Sequence, residues 1–309
     1  MAQLIKMYNY ITRYESNPFH YPTQYIQLKN DNWMKLLNLW EESQKQRTES
    51  ETVDEKKTNK FSFNPFAKRK DSKIEVEEIN DNDIPEYTFL RTKKELTQYF
   101  LNRLFSFQLK WASSTLSQVS FTDNNIKNDE SFKFLLQSFP DIYLLMYYPT
   151  FLVKNVPVES EIIFISPIGI DIIVMLEETK EVTYVVNDDR TWIVERENES
   201  SKMLSPIIQL KRTEQIVKSI LNKYDITFSI QKNVISRTNR MLFHTEPYQV
   251  NLIDKNNFKN WHENKRNLSS SLKNNQLKAM ESLLKHCDTM SVRRPEWEEE
   301  HEAQSNDLL

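Results

Sequence analysis

Between Tyr25 and Glu42, apolar Tyr25, Ile26, Leu28, Trp33, Leu36, Leu37, Leu39 and Trp40 recur at near-helical spacing among lysines and asparagines. The period predicts an amphipathic helix, whose Trp-bearing stripe either packs on the parent domain or docks another protein. From about Ser43 to Pro85, Glu, Lys, Ser, Thr, Asn and Asp dominate. Such a stretch cannot bury enough apolar surface to offset its ordering entropy, so it reads as a disordered charged linker. Inside it Phe61, Phe63 and Phe66 precede Lys68, Arg69 and Lys70. That cluster is either a linear motif for a membrane surface, a nucleic acid or a protein partner, or a set of stray aromatics in a solvated linker.

A wide apolar face on Thr92 to Leu116 predicts a long helix, and Asp129 to Ser138 a second one ending near Pro140. The period then changes. Ile142–Tyr148, Glu161–Ser166, Ile170–Glu177, Glu181–Asn187 and Trp192–Arg196 are β-branched or aromatic runs bounded by turn residues, and read as strands. Ile207, Ile208, Leu210, Ile216, Val217, Ile220 and Leu221 hold one face of a helix over Leu204 to Tyr224. Short strands follow near Phe228–Ile235, Met241–His244 and Tyr248–Leu252, then a polar helix over Asn256 to Cys287. The expected class is α/β (α+β). Its expected parts are an N-terminal helical segment (1–45), a disordered linker (46–86), a core domain (87–255), a C-terminal helix (256–290) and an acidic disordered tail (291–309).

Composition narrows the chemistry. The 309 residues include one glycine, where an average chain would have about twenty. Phosphate-cradling loops, dinucleotide fingerprints and nucleophile elbows need several glycines at fixed offsets, so all are excluded. A single cysteine, Cys287, excludes a disulfide framework and a Cys-rich zinc site and fits a reducing, cytoplasmic setting. Neither a signal peptide nor an apolar run long enough to span a bilayer is expected. The net charge of -3 gives no global attraction to a polyanion, so any such attraction must be local.

The most informative stretch runs from Ser160 to Glu178, where two apolar strands are joined by Ser166, Pro167, Ile168 and Gly169. Pro suits the second position of a turn, and the only glycine is expected at a later one requiring positive φ. Continuous apolarity over Ile170 to Leu176 predicts a central strand covered on both faces. Here the chain resembles the nuclease-related domain (NERD) family of the PD-(D/E)XK restriction-endonuclease-like superfamily. Glu161 falls at the family's acidic strand start, Ser166 to Gly169 match its turn, and Trp192 matches its hairpin tryptophan. Ser205-Pro206-Ile207-Ile208-Gln209 looks like its helix opening, with Ser for Asn. The resemblance spans roughly 92–252 and implies a central mixed sheet flanked by helices.

In active members of that family, a strand-starting Asp and a Glu on the next strand hold divalent ions, and a Lys two positions later assists the attacking water. Counted from Gly169 without a gap, those last two positions are Val174 and Leu176, which neither bind metal nor steady an anion. Lengthening the strand by four residues instead places Glu178-Thr179-Lys180 there, although Glu177 to Lys180 also reads as a hairpin turn. Asp171 is a further candidate metal ligand beside Glu161, or else a hydrogen-bonded interior carboxylate. The resemblance puts Gln209 near the cleft, where it bonds a phosphate or merely opens a capped helix; Lys211, Arg212 and Trp192 complete the candidate binding set.

Three functions follow as expectations. The leading one is a catalytically degenerate NERD-like module that binds nucleic acid or protein and has no cofactor. The second is a Mg²⁺-dependent deoxyribonuclease using Glu161, Glu178 and Lys180. The third is a scaffold recruited through residues 25–42 and 61–70.

Overall fold

The computed structural model describes residues 1–51, 86–187, 190–197 and 199–294. The Phe61 to Lys70 motif, nearly all of the expected linker and the tail beyond Arg294 lie outside them.

The chain opens with strand β1 (Gln3–Met7) and helices α1 (Tyr21–Glu51) and α2 (Lys93–Trp111), then β2 (Gln118–Val119) and α3 (Glu130–Gln137). Next come β3 (Leu144–Tyr147), a hairpin of β4 (Thr150–Val153) and β5 (Val156–Glu159), then β6 (Ile162–Ile165) and β7 (Ile170–Met175). Strands β8 (Thr183–Val186), β9 (Thr191–Arg196) and β10 (Glu199–Leu204) lead into α4 (Pro206–Lys223). The remainder is β11 (Ile230–Ile235), β12 (Arg240–Leu242), β13 (Val250–Ile253), α5 (Phe258–Arg266), α6 (Asn274–Leu284) and β14 (Val292–Arg293).

The class is mixed α/β, as the hydrophobic periods indicate. Six strands form the main sheet in the order β1-β3-β6-β7-β11-β13. The β3–β6 and β6–β7 pairs are antiparallel and the other three pairs are parallel. Strands β6 and β7 are buried almost throughout because helices cover both faces of the sheet. On one face Ile162, Phe164, Ile173, Ile235 and Ile253 join Phe105 and Leu109 of α2 and Phe132 and Leu135 of α3 in one core. On the other, α4 packs on β7 and β11, and α6 packs on β6. Helix α4 starts where it does because the Ser205 hydroxyl accepts the Ile207 N–H and Pro206 suits the first turn.

Four further strands, in the order β10-β9-β8-β12, make a second sheet that buries Trp192 and Tyr184. Contacts divide the chain into Met1–Gln27 with Arg103–Leu309, and Leu28–Asn102. Within the second unit the Trp33 ring meets Phe100 at 5.1 Å and Trp40 Nε1 donates to the Leu90 carbonyl at 2.9 Å. Part of the tryptophan stripe is thus used internally, while Met34 and Leu39 stay exposed.

Three expectations change. The first residues form a buried edge strand of the main sheet, not a helical segment. The expected helix over Asn256 to Cys287 is two helices, interrupted between Arg266 and Asn274 by the Ser-rich run 269–271. Gly169 has no positive φ. A glycine is needed there for room: a Cβ would come within 2.9 Å of the Ser229 carbonyl oxygen, which accepts the Ile170 N–H at 2.8 Å. The left-handed positions fall instead on Tyr8, Tyr148, Lys154, Asn155, Asp225 and Gln249.

Candidate functional site

The carboxyl ends of the parallel strands β1 and β3 and the start of the antiparallel β6 share one end of the main sheet. In parallel sheets ligands bind outside such carboxyl ends, where the chain leaves the strands and loops frame a crevice. Both strands leave the sheet through a left-handed tyrosine, Tyr8 at φ 48° and Tyr148 at φ 45°. A bulky residue held in this region marks local strain, and such outliers concentrate at functional sites. The two rings lie nearly parallel, 9° apart in plane with centroids 6.4 Å apart, and the Tyr8 N–H donates to the Tyr147 carbonyl.

Outside these strand ends lies a cleft of about 460 Å³, lined by Tyr8, Asn9, Tyr10, Asp123, Asp129 and Glu159 among others. Asp129 is positioned twice over. As the N-cap of α3 its Oδ1 accepts the Phe132 N–H at 3.0 Å, and its Oδ2 accepts the Tyr147 hydroxyl at 2.5 Å. Tyr10 is placed by its hydroxyl, which accepts the Asp123 N–H at 3.3 Å. The phenol of Tyr8 titrates above its ordinary range, first through burial and then through Asp129, Tyr10, Asp123 and Glu159. Tyr148 is raised by burial and by the neighbouring Glu161. Tyr8 and Tyr148 are thus neutral hydroxyls at physiological pH, set in a field of negative charge.

Glu161 borders this region. It is 8% exposed and its N–H donates to Thr213 Oγ1 on α4. The register Ile162 to Ile173, continued by one residue, sets it opposite Val174, the position reached by the gapless count. Burial raises its carboxyl above the usual glutamate range, Arg212 opposes the rise and Glu159 adds to it.

The other candidates are placed elsewhere. Glu178 and Lys180 lie in the loop between β7 and β8, where Val182 N–H closes a turn on the Thr179 carbonyl. Buried Asn239 clamps that loop: its Oδ1 accepts the Glu178 N–H, and its Nδ2 donates to the carbonyls of Thr179 and Val182. The Glu178 carboxylate meets Arg196 at 3.4 Å, and Lys180 is exposed. The charges that act on the Glu161 carboxyl are those of Arg212 and Glu159, and Glu178 is not among them. Asp171 faces the opposite side of the sheet from Glu161. There its oxygens take Lys265 Nζ at 2.6 and 2.7 Å and Asn233 Nδ2 at 3.1 Å, which is the interior hydrogen-bonded arrangement.

Trp192 is fully buried, so its ring packs the second sheet and is not presented to a ligand. Gln209, Lys211 and Arg212 are exposed on α4, and Arg212 Nη2 donates to the Glu159 carbonyl at 3.1 Å. Among the other bases, Lys218 pairs with Glu214, Arg237 with Glu177 and Lys265 with Asp171. Among the described residues no group of three His, Cys, Asp or Glu side chains is placed to hold a metal ion. No described helix is long and apolar enough to cross a membrane.

Sequence reasoning missed Tyr8, Tyr10, Tyr148 and Asp129. The available signal was a tyrosine pair at each of two places, Tyr8/Tyr10 and Tyr147/Tyr148, each just after an apolar run. No family model matches the chain, and neither does any curated protein or solved structure with which it was compared.

Proposed function

We propose that this protein is a non-cleaving binding module on a nuclease-type core, a degenerate relative of the nuclease-related domain that takes a protein partner. One observation carries the reading: Val174 lies opposite Glu161, where hydrolysis in that family requires a second carboxylate. One carboxylate is a poor Mg²⁺ site, since a hard cation at a phosphate normally takes more than one protein oxygen. Chain order is consistent with such a core: a helix, three antiparallel strands β3, β6 and β7, then α4 and the parallel strand β11.

A protein partner is favoured over nucleic acid by charge. The cleft is lined with Asp123, Asp129 and Glu159, which repel phosphates, and Lys218, Arg237 and Lys265 are committed to carboxylates. The single cysteine suits a cytoplasmic setting, and Cys287 is inert there, its thiol pushed up to about 12 by burial.

The test is incubation of the purified protein with linear, circular and single-stranded DNA plus Mg²⁺ or Mn²⁺, beside Glu161→Gln and Lys180→Ala. The expected result is no metal-dependent cleavage by any of the three. Cleavage by the wild type that either substitution abolishes would overturn the reading.

A further inference from the structure

The tyrosine-lined cleft has a chemistry of its own. Among the described residues its lining includes three carboxylates, those of Asp123, Asp129 and Glu159, and neither lysine nor arginine. The two bonds that hold Asp129 come from a phenol and a backbone amide, neutral donors that orient its charge without cancelling it. Arg237, whose field reaches Asp129, is itself bound bidentately to Glu177. Between the acids stand Tyr8 and Tyr10, edge to face at 5.7 Å, and the faces of such rings attract cations.

An apolar shelf adjoins the acids. Phe121 is 81% exposed and lies two residues before Asp123; Met290 is 65% exposed. Met290 is tied to the cleft by its N–H, which donates to the Asn9 carbonyl at 2.8 Å, and its carbonyl accepts Ser120 Oγ. Leu116 and Val292, on or beside the small β2–β14 ladder, are exposed as well. A free metal ion or a small amine uses the acids and leaves these side chains wet. A peptide carrying both basic and apolar side chains covers both.

We propose that this cleft docks a basic, partly apolar peptide segment of a partner protein, with Lys or Arg side chains against Tyr8, Tyr10 and the surrounding carboxylates, and apolar side chains against Phe121 and Met290. The proposal rests on the binding-module reading and names the ligand class.

The test uses the full-length protein and a fluorescein-labelled peptide alternating Lys with Leu and Phe, followed by anisotropy. A peptide with Glu in place of Lys, free spermidine and a DNA oligonucleotide serve as comparators. The basic peptide is expected to bind with an affinity that falls as salt rises. Glu159→Lys is expected to weaken it about tenfold and Tyr10→Ala about fivefold. Glu159→Gln, which keeps size and removes charge, should fall in between, and it carries the test if the reversal unfolds the protein. The proposal is overturned by equal binding to wild type and Glu159→Gln, by no binding of the basic peptide, by equal binding of the Glu peptide, or by spermidine binding as tightly as the peptide. DNA cleavage in the same samples counts against the non-cleaving reading alone, whereas loss of peptide binding without cleavage counts against the cleft alone.

Discussion

Glu161 stands across the β6–β7 ladder from Val174, on the sheet face that α4 covers. A buried carboxylate beside a valine is more easily protonated than one in water, because burial disfavours its charged form and Arg212 offsets this only in part. The folded protein therefore binds a proton at Glu161 more readily than the unfolded chain does. Stability falls as pH rises from the ordinary glutamate range, ~4.3, through the raised folded value. Glu161→Gln removes the ionisation. It is expected to stabilise the protein at neutral pH and to change little near ~pH 4, below the ordinary glutamate range. Urea denaturation across that range checks this. A variant less stable at neutral pH would mean that the carboxylate is needed for a favourable interaction there.

The opposite slope belongs to Glu177. Burial alone would raise its carboxyl, but two hydrogen bonds and the charge of Arg237, with a further bond from Ser131, bring it below the usual range. The Arg237 guanidinium also lies 4.6 Å over the Phe134 ring, so the pair links the end of β7 to α3. This stabilisation is complete above the ordinary glutamate range and is lost as pH falls through the depressed folded value. Glu177→Gln is expected to cost about 2 kcal/mol at pH ~7, with the difference from wild type closing toward pH ~3. Equal urea midpoints at neutral pH would show that the pair contributes no net stability.

Asp171 separates a structural carboxylate from a metal ligand. Its two oxygens hold Lys265 and Asn233, and Asn233 Oδ1 accepts Asn251 Nδ2, so β7, β11, β13 and α5 are joined by one network that runs from the buried Asp171 and Asn233 to the exposed Asn251. Asp171→Ala leaves Lys265 without its partner in a largely buried position and is expected to cost about 3 kcal/mol. The loss should be the same with and without Mg²⁺. A Mg²⁺-dependent melting temperature in the wild type that vanishes in this variant would make Asp171 a ligand instead.

What the sequence discloses follows from where the physics is local. Strands β6 and β7 and helix α4 are legible because apolar runs, the Ser205-Pro206 cap and the Ser166–Gly169 turn are written in consecutive residues. Strand β1 is not, because Gln3 and Lys6 interrupt its apolar pattern. Both are buried only through distant partners: Lys6 Nζ meets Glu15 at 2.6 Å and Thr289 at 2.8 Å, and Gln3 Nε2 reaches the Asp141 carbonyl. Gln108 is hidden for the same reason, since its amide serves the Leu4 N–H and the Ala2 carbonyl of the edge strand. The cleft needs the sheet order before it exists, because Tyr8 and Tyr148 are 140 residues apart and meet only through the β1–β3 pairing. Glu178 and Lys180 were open to two readings because strand length is a weak local signal, and the residue that fixes their turn, Asn239, comes from beyond β11.

The scarcity of glycine has its clearest mechanical consequence in the β4–β5 hairpin. Val153 pairs with Val156 across a two-residue loop, and Lys154 and Asn155 are both left-handed, at φ 51° and 64°. Two-residue loops of this kind favour Asn-Gly because side chains with a Cβ are strained at positive φ, by roughly 1–2 kcal/mol for an ordinary residue. The hairpin is coupled to the core: Phe151 is fully buried and the Leu152 N–H donates to the His286 carbonyl at 2.8 Å. Relief of strain in the loop should therefore appear in global stability. Lys154→Asn with Asn155→Gly is expected to raise stability by about 1 kcal/mol, read as a higher melting temperature, whereas Lys154→Val should lower it. Strand β5 ends at Glu159, so the stabilised hairpin also holds one cleft carboxylate more firmly in place. An unchanged melting temperature would mean that the hairpin opens independently of the core, and that Glu159 reaches the cleft from a segment with its own unfolding equilibrium.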